Sequence, residues 1–570
     1  MILRSLCLAA ALAACGGAAY AQSASPVEYA VSPVMEDGAL TRLAVEIRFA
    51  GDADGETLLL LPRSWAGADS LWRQVEELRV EGATSVRDRG PEARIIAHGP
   101  GAALTVRYRV RSSYRAEPGF GYHKAPIILP GWFFFHGEGV FALPGGRQDA
   151  PARFAWRGFP AEWKIVSDLD HLGGARSGTA ADVVESAAIG APDLAVVDRQ
   201  VRGAPLRVAI RGQWDFTPEA FASTVARIME AEHALWGDPG APFVVVMAPL
   251  GGTGDGYSYT GTGRTDAFSL ASTPGFSLDE ATRFLAHEYM HTWIYPQIGG
   301  APGGGGASAF WLTEGFTDFF SARALLRAGL WTPADFAEEL NTVLLRNASS
   351  PVRAAPNSVI PERYWMDLHV RQLPYDRGHL LALLLDYRIR RHTAGREDLD
   401  DALLAQREAA RRNAQAGTRM DAAELFPVVV RQVLGLEIEE DLVRHVERGE
   451  PVLLPADLFG ACARVETVTQ PDFHRGFDLE ATEAAGRVVT GLDPTSPAYA
   501  AGLRAGMRIV SWDGGVIGDA SVEYVYSVDD DGTERVIRYL PQGKGQVTLQ
   551  RVHLTLETAS MDCTQLMSGA

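Results

Sequence analysis

His287-Glu288-Tyr289-Met290-His291 decides how this chain is read. Residues four apart on a helix share a face, so both imidazoles can reach one metal ion. Glu288, beside His287, can then address a water on that ion, which is what the H-E-x-x-H spacing is for. The flanking sequence predicts a helix. Ser277-Leu278-Asp279-Glu280 reads as a capping box, and apolar Phe284, Leu285 and Ile294 continue the segment.

A second helix is predicted over Phe310-Trp311-Leu312-Thr313-Glu314-Gly315-Phe316-Thr317-Asp318-Phe319-Phe320. Glu314 is an acid in a strongly apolar run, where an unpaired charge is expensive, and a metal ligand is the economical explanation. Asp318 lies four residues on, on the same face. It is either an acceptor for the free ring N–H of a ligating histidine or a solvated carboxylate. Two histidines and one glutamate leave a fourth tetrahedral position open, as in catalytic zinc sites. The Gly-rich connection 299–306 is long enough to return the second helix antiparallel to the first.

H-E-x-x-H followed by Trp311-Leu312-Thr313-Glu314-Gly315-Phe316-Thr317 resembles the gluzincins, most closely the glycyl aminopeptidase family. Pro374-Tyr375-Asp376-Arg377-Gly378 is similar to a segment that opens a later helix in those peptidases, here the apolar run 380–389. The resemblance implies one zinc ion per chain, held by His287, His291 and Glu314. It implies Glu288 as general base and Tyr375 as oxyanion donor; read without the resemblance, Tyr375 is a packing residue. It also implies a multidomain α+β chain: an N-terminal β-sandwich, a thermolysin-like, mainly helical catalytic domain with a small sheet, and a C-terminal PDZ-like β domain.

The domains expected along the chain are 22–203 for the sandwich, 204–455 for the gluzincin domain and 465–555 for the PDZ-like domain. In the first, Leu43, Val45, Ile47 and Phe49 alternate with polar residues, as do Leu104, Val106, Tyr108 and Val110, the period of half-buried strands. The run Trp132-Phe133-Phe134-Phe135 reads as core. The second opens with a strand at 206–210, a helix capped by Thr217-Pro218, and a strand at 243–247. It turns helical after His291, with helices at 335–346 and 399–411. In the third, Gly486-Arg487-Val488-Val489, the segment 496–506 and Ile509-Val510-Ser511-Trp512-Asp513-Gly514 resemble a PDZ domain. Met507 stands where such domains carry an acid, and Gly476-Phe477 is either a carboxylate-binding loop or an ordinary turn. PDZ domains bind extended chains by strand addition.

A formal net charge of −18 argues against nucleic acid or an anionic membrane as partner. After the first twenty-odd residues no apolar run approaches the length of a membrane span. Arg4, the apolar stretch 6–12 and Ala19-Tyr20-Ala21 read as a signal peptide over 1–21. Alternatively, Leu12-Ala13-Ala14-Cys15 is a lipobox, with the signal ending at 14 and a lipid anchor on Cys15. Either reading predicts export, to a bacterial periplasm, to the outside, or as a membrane-anchored lipoprotein. Cleavage after Ala21 leaves Cys462 and Cys563, a disulfide or two buried thiols.

Peptides or proteins are the expected substrates. Aminopeptidases of this kind hold the substrate's α-ammonium with a glutamate in a Gly-rich edge strand upstream of the zinc helix. The corresponding stretch, 251–264, has no glutamate. Asp255 and Asp266 are the possible substitutes, although each reads first as a surface-turn residue, and Arg264 would repel an ammonium if it faced the site. Two further readings stand beside the peptidase. One is a PDZ-bearing binding or chaperone-like protein with a vestigial zinc site, against which the retention of Glu288 argues. The other is a zinc hydrolase acting on a non-peptide substrate.

Overall fold

In a computed structural model the described residues are 25–172, 178–252, 257–264, 266–300, 306–555 and 561–569. The signal segment 1–21, Cys15 and Asp255 lie outside them. The chain divides into two compact units: one of residues up to 117 and 122–193, the other of 118–121 and everything from Leu194 on.

In the first unit the alternating segments are strands Ala39–Ala50 and Ala103–Arg111, paired antiparallel. The register places Leu43 opposite Val110, Val45 opposite Tyr108 and Ile47 opposite Val106, so the apolar side chains of both strands bury the same face. These strands belong to a six-stranded sheet. Two four-stranded sheets share its core, one of them holding the buried strand Trp132–His136. The expected two-sheet sandwich is thus a three-sheet arrangement. Its boundary also falls earlier than 203. Strand Ala195–Val201 pairs with Ala204–Ile210 and belongs to the sheet of the second unit.

That sheet runs Ala195–Val201, Ala204–Ile210, Phe243–Pro249, Ala267–Ser272, Tyr259–Gly263. Its three central strands are parallel, and the edge strand Tyr259–Gly263 is antiparallel to its neighbour. Around it stand helices α1 (Pro218–Trp236), α2 (Leu278–Met290), α3 (Gly315–Arg327), α4 (Pro333–Ser349), α5 (Leu368–Thr393) and α6 (Leu399–Gln415). Thr217 caps α1 with Pro218 in its first turn, and Phe221, Val225, Ile228 and Met229 line its buried face. No helix among the described residues is long and apolar enough to cross a membrane.

Two helix boundaries differ from expectation. α2 stops at Met290 with His291 as its C-cap, and Ile294 is buried in the turns beyond. The chain leaves helical geometry as Tyr295 adopts a left-handed φ of +100° before Pro296. α5 begins at Leu368, because Asp367 caps it by accepting from the N–H groups of His369 and Val370. Pro374 and Tyr375 therefore lie inside the helix rather than opening it.

The C-terminal region belongs to the second unit. Strands Ala463–Phe473 and Gln542–Leu554 pair antiparallel, and Val465 and Val552 join the hydrophobic cluster of the helical lobe. Asn341 on α4 fixes the ribbon, donating to the Val552 carbonyl at 3.0 Å and accepting from its N–H at 2.7 Å. Between the ribbon strands, a three-stranded sheet of Arg508–Gly514, Tyr524–Asp530 and Thr533–Tyr539 has its own small core. Cys462 and Cys563 are joined as a disulfide spanning 101 residues, with Cα atoms 5.5 Å apart.

Candidate metal centre

α2 begins with the expected capping box: Glu280 N–H donates to the Ser277 hydroxyl, and the Glu280 carboxylate accepts from Ser277 N–H at 3.0 Å. Ala281, Leu285, Ala286, Tyr289 and Met290 bury one face. That burial fixes the rotation of the helix, which leaves His287, Glu288 and His291 half-buried on the other side. The two imidazoles meet there, Nε2 to Nε2, at 3.1 Å.

Glu314 arrives from the second helix at a local break. Its φ of −104° separates the turn Phe310–Thr313 from α3, although Glu314 N–H still reaches the Phe310 carbonyl. Its Oε2 lies 3.4 Å from the Nε2 of each histidine. Asp318, one turn on, accepts from His287 Nδ1 at 2.8 Å. This bond fixes the ring and leaves Nε2 facing His291 and Glu314.

Glycines bring the third helix in. A Cβ on Gly315 would lie 2.4 Å from the Gly378 Cα, and one on Gly378 would lie 1.9 Å from the Trp311 carbonyl oxygen. α3 and α5 therefore cross at backbone contact, and only glycine fits at either position. This crossing, unforeseen from the sequence, sets Tyr375 beside Glu314. The Tyr375 ring stacks 6.0 Å from that of His287. Glycines close after the two motif residues, in Glu314-Gly315 and Tyr375-x-x-Gly378, were the available signal.

Charge is shared tightly in this cluster. Burial pushes the Glu314 carboxyl up, but the two imidazoles beside it hold it well below the ordinary range. Burial disfavours the His287 imidazolium, yet the hydrogen bond and charge of Asp318, with Glu314 and Glu288, hold it above its usual value. Burial raises Tyr375 far above a normal phenol, and the Glu314 charge raises it further.

The donor set fits a zinc ion. The ligand atoms of His287, His291 and Glu314 lie within 4.8 Å of one another. The separations of 3.1, 3.4 and 3.4 Å compare with about 3.3 Å for the edge of a tetrahedron whose ligands lie about 2.0 Å from zinc. The three ligand atoms thus form a triangle of the size of one face of such a tetrahedron.

The edge strand flanks α2 on its other side. A Cβ on Gly261 would lie 2.4 Å from the Phe284 ring and 2.5 Å from that of Phe268, and one on Gly263 would lie 3.9 Å from the Glu288 carbonyl oxygen. No acid occupies the strand Tyr259–Gly263 itself. Asp266 stands just before the neighbouring strand, its carbonyl accepting from Val244 N–H.

Residues 280–359, which carry His287, Glu288, His291, Glu314 and Asp318, match the family model for the M61 glycyl aminopeptidases. That stretch is similar to a metallopeptidase. No curated protein matches the chain. Among solved structures, a protein of the aminopeptidase N family from Idiomarina loihiensis aligns with a TM-score of 0.68 at 14% identity, covering 95% of this chain and 100% of that one. An M1 zinc metallopeptidase from Deinococcus radiodurans aligns with a TM-score of 0.47 at 16% identity, covering 76% of this chain and 96% of that one. The first likeness shows a shared fold.

Proposed function

We propose that this protein is an exported zinc metallopeptidase in which His287, His291 and Glu314 hold one zinc ion per chain. The observation that carries the reading is the tetrahedral face formed by the three ligand atoms, backed by Asp318 and flanked by Tyr375. The family match over 280–359 supports peptides as substrates. Bound there, zinc would supply Lewis acidity and lower the pKa of a water to about 7. Glu288, set on α2 between the two histidines, would take the proton of the attacking water and pass it to the leaving amine. Tyr375 would donate to the oxyanion that develops on the scissile carbonyl, a contact stronger in the transition state than in the ground state. Asp318 would hold the His287 ring.

Export is supported by the leader-like residues 1–21 and by the Cys462–Cys563 bond, which suits an oxidising compartment. The segment 465–555 is proposed to recruit extended chains through a PDZ-like strand edge.

The test is a peptide library presented with free and with N-acetylated termini. It is run on the zinc-loaded protein, after chelation, and after return of one equivalent of zinc. Hydrolysis lost on chelation and restored by zinc is expected. Cleavage of no peptide by the loaded protein, or undiminished cleavage by the stripped one, would defeat the reading.

A further inference from the structure

Tyr364 lies in the turn after the short helix Ile360–Arg363, buried in a small apolar cluster with Ile360, Val370 and Leu373. Its ring packs edge-on against Phe310, which opens the turn leading to Glu314, with centroids 4.8 Å apart. The exposed Trp365 ring also meets it edge-on, with centroids 4.8 Å apart. A phenylalanine would fill this space equally well, so the hydroxyl is what calls for a reason. A buried hydroxyl needs a hydrogen-bond partner. Among the described residues, that of Tyr364 has one: Tyr375 Oη, at 3.2 Å.

Either oxygen of the pair can be the donor, and the surroundings decide which. A phenol carries one proton. Tyr375 also hydrogen-bonds the Glu314 side chain, a carboxylate that only accepts. During hydrolysis it would face an oxyanion, which also only accepts. The Tyr375 proton is thus drawn toward the metal-binding side, which leaves Tyr364 to supply the proton between the two oxygens. Donation into Tyr375 Oη also polarises the Tyr375 O–H, because successive hydrogen bonds strengthen one another.

We infer that Tyr364 is a positioning residue for Tyr375: its hydroxyl donates to Tyr375 Oη, keeping the Tyr375 proton aimed at the developing oxyanion. The inference rests on the proposed role of Tyr375.

The experiment compares the full-length zinc-loaded protein with Tyr364→Phe, Tyr375→Phe and the double variant. The probes are alanyl-p-nitroanilide and an internally quenched N-acetylated octapeptide. Tyr364→Phe should lower kcat about tenfold with KM within about twofold, the loss of one oriented hydrogen bond. In the Tyr375→Phe background it should cost nothing further. Calorimetry with a phosphonamidate dipeptide, whose anionic oxygen mimics the oxyanion, should show about tenfold weaker binding to Tyr364→Phe, while zinc content and melting temperature stay at wild-type values. Equal losses in both backgrounds, or a loss carried by KM, would assign Tyr364 to packing alone and overturn the inference. Wild-type turnover by Tyr375→Phe would remove the role on which it rests. A loaded wild type that cuts neither probe would remove the peptidase reading, and the inference would fall with either.

Discussion

The two flanks of α2 are built from different materials. On the side of α3 and α5, charges are matched in detail. Glu314 stands between two histidines, Asp318 holds His287, and buried Asp376 accepts from Arg346 at 2.9 and 3.1 Å. On the edge-strand side the contacts are rings and glycine: Tyr259 meets Phe284 at 4.9 Å, and Gly261 lets Phe284 and Phe268 close on the strand. The helical flank suits the proposed bond-breaking role, because rigid helices can hold reacting groups to within about 0.5 Å. The strand flank offers shape and backbone, with no acid in Tyr259–Gly263. In the proposed peptidase, hydrolysis and substrate recognition would therefore be separable, and each side can be tested without the other.

The sharpest way to break the comparison is to remove the base and leave the metal ligands. Glu288→Gln should lower hydrolysis about 10³-fold or more while zinc content, read by metal analysis, stays at one per chain. Loss of zinc in this variant would mean that Glu288 belongs to the ligand set. Tyr375→Phe should act next most strongly, lowering kcat by about 10²–10³ with little change in KM, as for an oxyanion donor. Unchanged kcat would return Tyr375 to the packing of α3 against α5.

The convergence of His287, His291 and Glu314 and the cap of α2 were legible in the sequence because each depends on spacing or local chemistry, whereas the Cys462–Cys563 bond was one of two open readings, since only packing brings its ends together. Ser277 and Glu280 satisfy helix-end N–H groups whatever the tertiary fold. The break at Glu314, the glycine crossing and the Tyr364–Tyr375 pair were not legible, since they arise only when distant segments pack. The early end of the first unit was hidden for a related reason. Ala195–Val201 alternates like the strands before it, and only its pairing with Ala204–Ile210 assigns it to the second sheet.

The helical flank also contains a group that its charge-matching leaves out. His379, one residue past the glycine crossing, is buried against the Phe319 ring, and neither ring nitrogen has a hydrogen-bond partner among the described residues. Burial pushes its pKa down to about 4, although the Asp318 charge pulls it upward. The folded value lies below the unfolded one, so its stabilising contribution is present above pH 6.5 and is lost as pH falls toward 4. A fall from 6.5 to about 4 corresponds to about 3 kcal/mol at full extent. Asp376 acts in the opposite sense, since burial raises it to about 6 and its contribution fades as pH rises through that value. The difference between wild type and His379→Leu therefore isolates the histidine. Urea unfolding should show the variant gaining on wild type between pH 7 and pH 4. A constant difference across that range would mean that His379 is not held neutral by its surroundings.

The smallest expected effect bears on the strand flank. An aminopeptidase selects for a free N-terminus through a charge-assisted pair between a carboxylate and the substrate ammonium, and that selectivity is lost with the carboxylate. Tyr259–Gly263 supplies none, and at Gly261 the rings of Phe284 and Phe268 leave no room for a side chain of any kind. Acetylating the substrate should therefore change kcat/KM by no more than a few-fold, about 1 kcal/mol or less. The measurement is a paired comparison of one peptide with its acetylated form, repeated on Asp266→Asn and Asp255→Asn. If acetylated peptides are inert and one of these variants abolishes cleavage of the free form, an acid beyond the edge strand holds the ammonium. The separation between the two flanks would then lie in where the charge is placed rather than in its absence.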